Sequence, residues 1–230
     1  MTIIRRHDTT YSPVGLWQLN GTLNDTSGNG FNLTTEAGTA RYADIFPGIS
    51  GLLVSASRFV YNTSGTALAI TGNMTIECLF RSAVPVSTTF FAGYAGGSGS
   101  GTQANNILYS MFIPSGLFGL SWTQESGSGS PTSYNLTDHA LPRTYLCHVA
   151  VTRTSNVIQF YLNGRAFGAA SSALTTPDGG TTSVFRIGGD AAQNAVQGNV
   201  SSLKVIASAL SASQIAGEFN LTLGNYYDSQ

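Results

Sequence analysis

An all-β protein built as a two-sheet antiparallel sandwich is the fold class this sequence predicts, and three observations lead there. Glycine makes up 27 of 230 residues. Ser, Thr and Asn surround it, a composition that favours turns and strands over helices with charged outer faces. Only 9% of residues are charged, against roughly 25% in an ordinary soluble domain. Short runs of β-branched, aromatic and other apolar residues also recur about every ten positions with turn residues between them, which is the spacing of a sandwich. With 42% apolar residues, 10% aromatics and a formal charge of −1, the chain has surface to bury and little self-repulsion, so it folds. One core suffices at this length, without a metal or disulfide staple.

The strands follow in order. Gly15–Leu19 comes first, then the turn-rich loop Asn24-Asp25-Thr26-Ser27-Gly28-Asn29-Gly30 and a short strand at Phe31–Thr34. Leu52–Tyr61, Met74–Ser82, Thr88–Tyr94, Ile107–Ile113 and Leu117–Gln124 fit further strands, the last three as an antiparallel meander. Thr144–Arg153 and Val157–Leu162 form a hairpin around Thr154-Ser155-Asn156. Asn163-Gly164 turns the chain again into Ala166–Ala169, because both residues tolerate the positive φ of a two-residue hairpin loop. Val184–Ile187 and Asn199–Ala207 close the β series. One helix is predicted, Ser211–Phe219, with Ser211 as its cap and Ile215 and Phe219 four apart on one face. The organisation expected is an N-terminal arm over 1–13, a single domain over 14–220 and a tail over 221–230.

Composition excludes several functions. Ten Lys and Arg, with Arg5-Arg6 as the densest group, supply no basic stripe for nucleic acid. No run approaches eighteen apolar residues, so no membrane helix is expected. No apolar stretch follows Arg5-Arg6, which predicts synthesis in a cytoplasm without a secretory signal. Cys78 and Cys147 fall inside strand-like runs and read as buried free thiols in preference to a disulfide.

Candidate binding residues come from the meander. Its two Gly/Ser segments, Gly96–Gly101 and Glu125–Ser130, fall at one end of the sandwich, where Tyr94, Gln103, Asn105 and Trp122 would line a rim able to stack on and hydrogen-bond a sugar or a partner's backbone. Mobile surface loops are the competing reading. Tyr11, Tyr226 and Tyr227 are candidate assembly contacts for the two terminal segments, unless both ends pair as edge strands instead.

Several phrases, taken together, resemble the laminin-G-like group of concanavalin A-like jelly rolls. They are Gly15–Gly21 running into Asp25–Gly30, Asn73–Phe80, Cys147–Arg153 followed by Ile158–Gly164, Arg186–Gly189, and Gly198–Val200 with Ala209–Ile215. The resemblance implies a jelly-roll sandwich with one short helix near the C-terminus, and a binding role. Some relatives hold calcium, but only Asp25 lies in a suggestive loop and turn chemistry explains it equally well, so no metal and no cofactor is expected. Where the family's last strand often carries an acidic pair, this chain has Ser201-Ser202, and His148 reads as a packed strand residue.

No catalytic residues are expected. Glycoside hydrolysis needs two carboxylates facing one another across a cleft, and none of Glu36, Glu77, Glu125 and Glu218 has an acidic neighbour in the required alternation. Glu77 lies mid-strand, and the simplest position for it is outward and solvated, opposite Ile76 and Cys78. The function these points favour is a non-enzymatic structural or adhesive protein of a phage particle, a head decoration or tail component localised to the virion. Its partners would be capsid or tail subunits, further copies of itself and host-surface glycans. The alternative is a lectin-like carbohydrate-binding protein of cellular origin, with a glycoside hydrolase third.

Overall fold

The structure, a computed structural model, describes residues 11–46, 49–54, 59–62, 66–82, 89–96, 107–113, 119–124, 132–136, 141, 145–177, 183–188 and 198–224. Two antiparallel sheets face each other. The first holds β13 (Arg165–Phe167), β12 (Val157–Leu162), β11 (Leu146–Thr154), β6 (Met74–Ser82), β15 (Gly198–Ile206), β4 (Ile49–Val54) and β3 (Tyr42–Phe46) in that spatial order, with β1 (Gly15–Trp17) also paired to β15. The second runs β10 (Thr132–Asn135), β9 (Ser121–Gln124), β8 (Ile107–Ile113), β7 (Thr89–Gly96), β14 (Ser183–Ile187), β5 (Phe59–Asn62) and β2 (Thr34–Ala37). The predicted two-sheet sandwich with one C-terminal helix is confirmed. That helix is α1 (Ala212–Phe219), continued by a π-type turn over Asn220–Gly224.

Strand alternation places the core. On β6, Met74, Ile76, Cys78 and Phe80 point between the sheets, and on β11 Cys147, Val149 and Val151 do the same. Three aromatic pairs fix this interior. Trp17 of the first sheet stacks on Phe185 of the second at 5.1 Å, Tyr134 stacks on Phe160 across the same gap at 5.9 Å, and Tyr109 stacks on Trp122 within the second sheet at 5.8 Å. Each such pair adds about 0.5–1.5 kcal/mol beyond its area burial. Cys78 and Cys147 are buried free thiols, as the sequence predicted. Cys147 stands opposite Phe80 and Cys78 opposite Val149, so the two cysteines are diagonal neighbours. Diagonal Cβ atoms lie about 7–8 Å apart, too far for a disulfide.

Arg153 is the charged exception in this core. It projects inward from the end of β11, donates to the carbonyls of Ile70 and Gly72 at 2.6–2.9 Å, and lies 5.8 Å from the centre of the Trp122 ring. Burial lowers its pKa to about 10. It thereby fastens the β5–β6 connection to the sandwich.

Differences from the sequence reading are local. The run 52–61 is not one strand: β4 belongs to the first sheet and β5 to the second. β3 and β10 had no predicted counterpart, and the strand expected at Phe31–Thr34 begins only at Thr34 because the Phe31 amide is taken by Asp25. Both hairpin turns are as predicted, with φ of 49° and 65° at Ser155 and Asn156, and 49° and 76° at Asn163 and Gly164. Ser211 caps α1 through a reciprocal pair of hydrogen bonds with Gln214, a capping box.

Candidate functional site

Of the expected rim residues, Trp122 is not at the surface. Trp122 is 0% exposed, its indole N–H donating to Gln124 Oε1 at 2.8 Å, so it is a core residue and not a rim platform. The cause is register. Trp122 pairs with Met111 and Tyr134, and all three occupy inward positions of the second sheet. Tyr94 stands opposite the buried Phe185 and Tyr109 in the register of β7. Gln103 and Asn105 lie outside the described residues, as do Tyr226 and Tyr227. Tyr11 is partly buried and packs against the small apolar cluster beneath α1.

The opposite, outward side of the second sheet carries a different feature. Its register aligns one residue from every strand in a row from edge to edge: Thr34, Tyr61, Arg186, Gly93, Ser110, Thr123 and Ser133. Every member but Gly93 is polar or carries a polar tip. Six interstrand steps of about 4.8 Å make the row about 29 Å long. Its middle is shielded, with Arg186 2% and Thr123 5% exposed. Thr123 and Ser133 share a hydroxyl–hydroxyl bond of 2.7 Å. At the β2–β5–β14 end, Thr34 is exposed and Tyr61 half-buried, directly beside Arg186. That end brings an aromatic ring and a hydroxyl together at the surface, with the buried Arg186 next to them. No single run of sequence displays them, since they sit on three strands up to 152 positions apart.

A second polar cluster lies on the outward side of the first sheet, under α1. Glu77 of β6 does point away from Ile76 and Cys78, but it is 5% exposed and not solvated, because α1 covers it. Lys204 of β15 stands opposite it, with Nζ 3.4 Å from Glu77 Oε2, and also donates to Glu218 Oε2 on α1. His148 of β11 completes the group, its ring tilted against Phe219 at 6.0 Å. Burial pushes the Glu77 carboxyl up to about 7; Lys204 opposes the rise and Glu218 adds to it. Burial, and then the Lys204 ammonium, lower His148 to about 4. Burial also works against the charge on Lys204, yet Glu77 and Glu218 outweigh it and its pKa is raised. Both carboxylates are thus buried beneath α1.

Asp25 behaves as turn chemistry requires. Its Oδ1 accepts from the amides of Leu16 and Ser27 at 3.0 and 2.9 Å, and its Oδ2 accepts from Ser27 Oγ and the Phe31 amide at 2.8 and 2.9 Å. Four donors occupy the carboxylate. Among the described residues no group of three or more His, Cys, Asp or Glu is placed to hold a metal ion. Ser201 lies in the β15 bulge and donates to the Ser50 carbonyl at 3.0 Å.

Domain 4 of AbnA, a GH43 extracellular arabinanase from Geobacillus stearothermophilus solved with arabinotriose, superposes with a TM-score of 0.63 at 15% identity, over 90% of this chain and 98% of that one. A structure of botulinum neurotoxin type C, whose cell entry depends on interaction with two ganglioside molecules, gives 0.64 at 15%, over 91% and 51%. The binding domain of botulinum neurotoxin DC in complex with rat synaptotagmin II gives 0.62 at 18%, again over 91% and 51%. The chain therefore spans about half the length of these neurotoxin domains. At such identities the likeness is one of fold. No curated protein matches the chain. The Laminin_G_3 profile, however, matches residues 57–216, well over half of the sequence, and the chain belongs to that family, within the concanavalin A-like lectin/glucanases superfamily.

Proposed function

We propose that this chain is a non-catalytic, lectin-like recognition domain that contacts glycans at the β2–β5–β14 end of its second sheet. The observation that carries this reading is the polar row on the outward face, where the half-buried Tyr61 and the exposed Thr34 stand side by side. An aromatic face stacks on the apolar side of a sugar ring, and the flanking Thr34 hydroxyl fixes its orientation. Support comes from relatives of the same fold, one solved with arabinotriose and another entering cells through gangliosides. The virion setting expected from the sequence has no counterpart among these relatives, so the lectin-like alternative is preferred. Calorimetric titration with arabinotriose and with a ganglioside headgroup oligosaccharide tests it. Saturable binding to one of them, weakened at least about tenfold by Tyr61→Ala with the unfolding midpoint preserved, is expected. Heatless titrations for both ligands would overturn the proposal, and unchanged affinity in Tyr61→Ala would remove the site from this row.

A further inference from the structure

Three Asn-Gly steps occur in the sequence, Asn20-Gly21, Asn29-Gly30 and Asn163-Gly164. Such a step is unusually open to one spontaneous reaction, because glycine has no side chain to keep its backbone nitrogen away from the preceding carboxamide. That nitrogen, losing its proton to solvent, bonds to the asparagine Cγ, and the Cγ–Nδ2 bond breaks with release of ammonia. Water then opens the cyclic imide. Opening at Cγ leaves aspartate, and opening at the main-chain carbonyl leaves isoaspartate, whose backbone runs through Cβ. The sum is one water consumed and one ammonia released, with no oxidant or reductant.

Backbone shape does not separate the three steps, since each glycine has a positive φ: 119° at Gly21, 75° at Gly30 and 76° at Gly164. What differs is the hold on each carboxamide. Asn163 Oδ1 accepts from the His148 amide of β11 at 3.0 Å, and the Asn163 amide donates back to the His148 carbonyl at 2.8 Å. Gly164 is buried beneath Phe219. Asn29 Nδ2, the atom that must leave, donates to the carbonyls of Pro13 and Val14 at 3.3 and 2.9 Å. Asn20 has neither restraint. Its side chain holds no hydrogen bond among the described residues, both Asn20 and Gly21 are exposed, and a Cβ on Gly21 would meet nothing within 4 Å.

We propose that Asn20 is the modification site of this chain: in the folded protein it converts spontaneously to aspartate and isoaspartate, while Asn29 and Asn163 are held back. Reaction at Asn29 waits on release of its two hydrogen bonds. Reaction at Asn163 waits on opening of the β12–β13 turn and withdrawal of Phe219. One hydrogen bond shifts such an opening equilibrium by about two- to tenfold, so two bonds or a packed turn slow the reaction by about tenfold or more. Each conversion adds one carboxylate and takes the formal charge from −1 to −2. The fold survives the change, because the Asp25 carboxylate ties Leu16, Ser27 and Phe31 together without help from Asn20.

Ageing the full chain at mildly alkaline pH tests this, with one sample kept folded and another unfolded in guanidinium chloride. Digestion and mass spectrometry then follow the amide-to-acid mass change at each of the three positions. In the folded sample, acid at position 20 should form at least about tenfold faster than at 29 or 163, and the three rates should draw together in the unfolded one. A folded-state rate at Asn29 or Asn163 that equals the rate at Asn20, or an Asn20 that converts only when unfolded, overturns the proposal. Ion exchange of the aged folded protein gives a second reading that needs no digestion. The species with one more negative charge should appear about tenfold later in Asn20→Gln, where the held Asn29 is the next step to react. An acidic species that forms as fast in Asn20→Gln as in the unmodified protein places the reaction elsewhere and removes Asn20.

Discussion

Trp122 touches Tyr109 on one face and the Arg153 guanidinium near its ring, and it lends its N–H to Gln124. Truncation to alanine would leave a core cavity between the sheets and an Arg153 deprived of its aromatic neighbour. Trp122→Ala is therefore expected to cost about 3–5 kcal/mol, read as a lowered urea midpoint. Asp25 illustrates the same dependence at the surface. Replacing it with alanine strands the amides of Leu16, Ser27 and Phe31 and the Ser27 hydroxyl together. A loss of about 2–4 kcal/mol is expected, since hydrogen bonds to a charged group contribute about 1.5–3 kcal/mol each but are not additive. Because those four donors already fill the carboxylate, added calcium or EDTA should leave the melting temperature of the unmodified protein unchanged. A calcium-dependent rise would restore the metal reading of this loop.

The β12–β13 hairpin shows why some elements were legible in sequence and others were not. Asn163-Gly164 announces a tight turn because few residues accept φ of 49° and 76°, and the structure has that turn. It also reveals what sequence could not, that a Cβ on Gly164 would meet Phe219 of α1 at 3.0 Å. Gly164→Ala is expected to destabilise by about 1–3 kcal/mol, through backbone strain and through displacement of the helix together. Ser211→Ala, which removes only the cap, should cost about 1 kcal/mol, and thermal melts of the two variants would separate the effects. The family, the hairpins and α1 were readable because their signals are local. The division of 52–61 between two sheets was not, although Ser55-Ala56-Ser57 does interrupt the run of large apolar residues. β10 was missed because its alternation of half-buried and exposed positions carries a single aromatic, Tyr134. The polar row was unreadable for a stronger reason. It exists only across strands, so no spacing along the chain encodes it, and Trp122 looked like a rim residue until the register turned it inward.

At the scale of the molecule, the scarcity of charge becomes more pronounced than composition alone suggested. Of ten basic and eleven acidic side chains, Glu77, Arg153, Arg186, Lys204 and Glu218 are buried, so the solvent-facing surface is poorer still in ions. Hydroxyls and amides can be withdrawn from water against a ligand at much less cost than ions, provided the ligand replaces their hydrogen bonds. A surface of this kind suits neutral saccharides, and long-range steering contributes little to its encounters. Affinity for arabinotriose should therefore change less than about twofold between 0.05 and 0.5 M NaCl, because no counter-charge is there to be screened. An anionic ganglioside headgroup should show equally little salt dependence at this row, because Arg186 beside Tyr61 is buried and offers it no exposed cation. Titrating both ligands at the two ionic strengths thus tests recognition by ring stacking and hydroxyls. Salt dependence for the neutral sugar would place the contact elsewhere, at a charged patch outside this face.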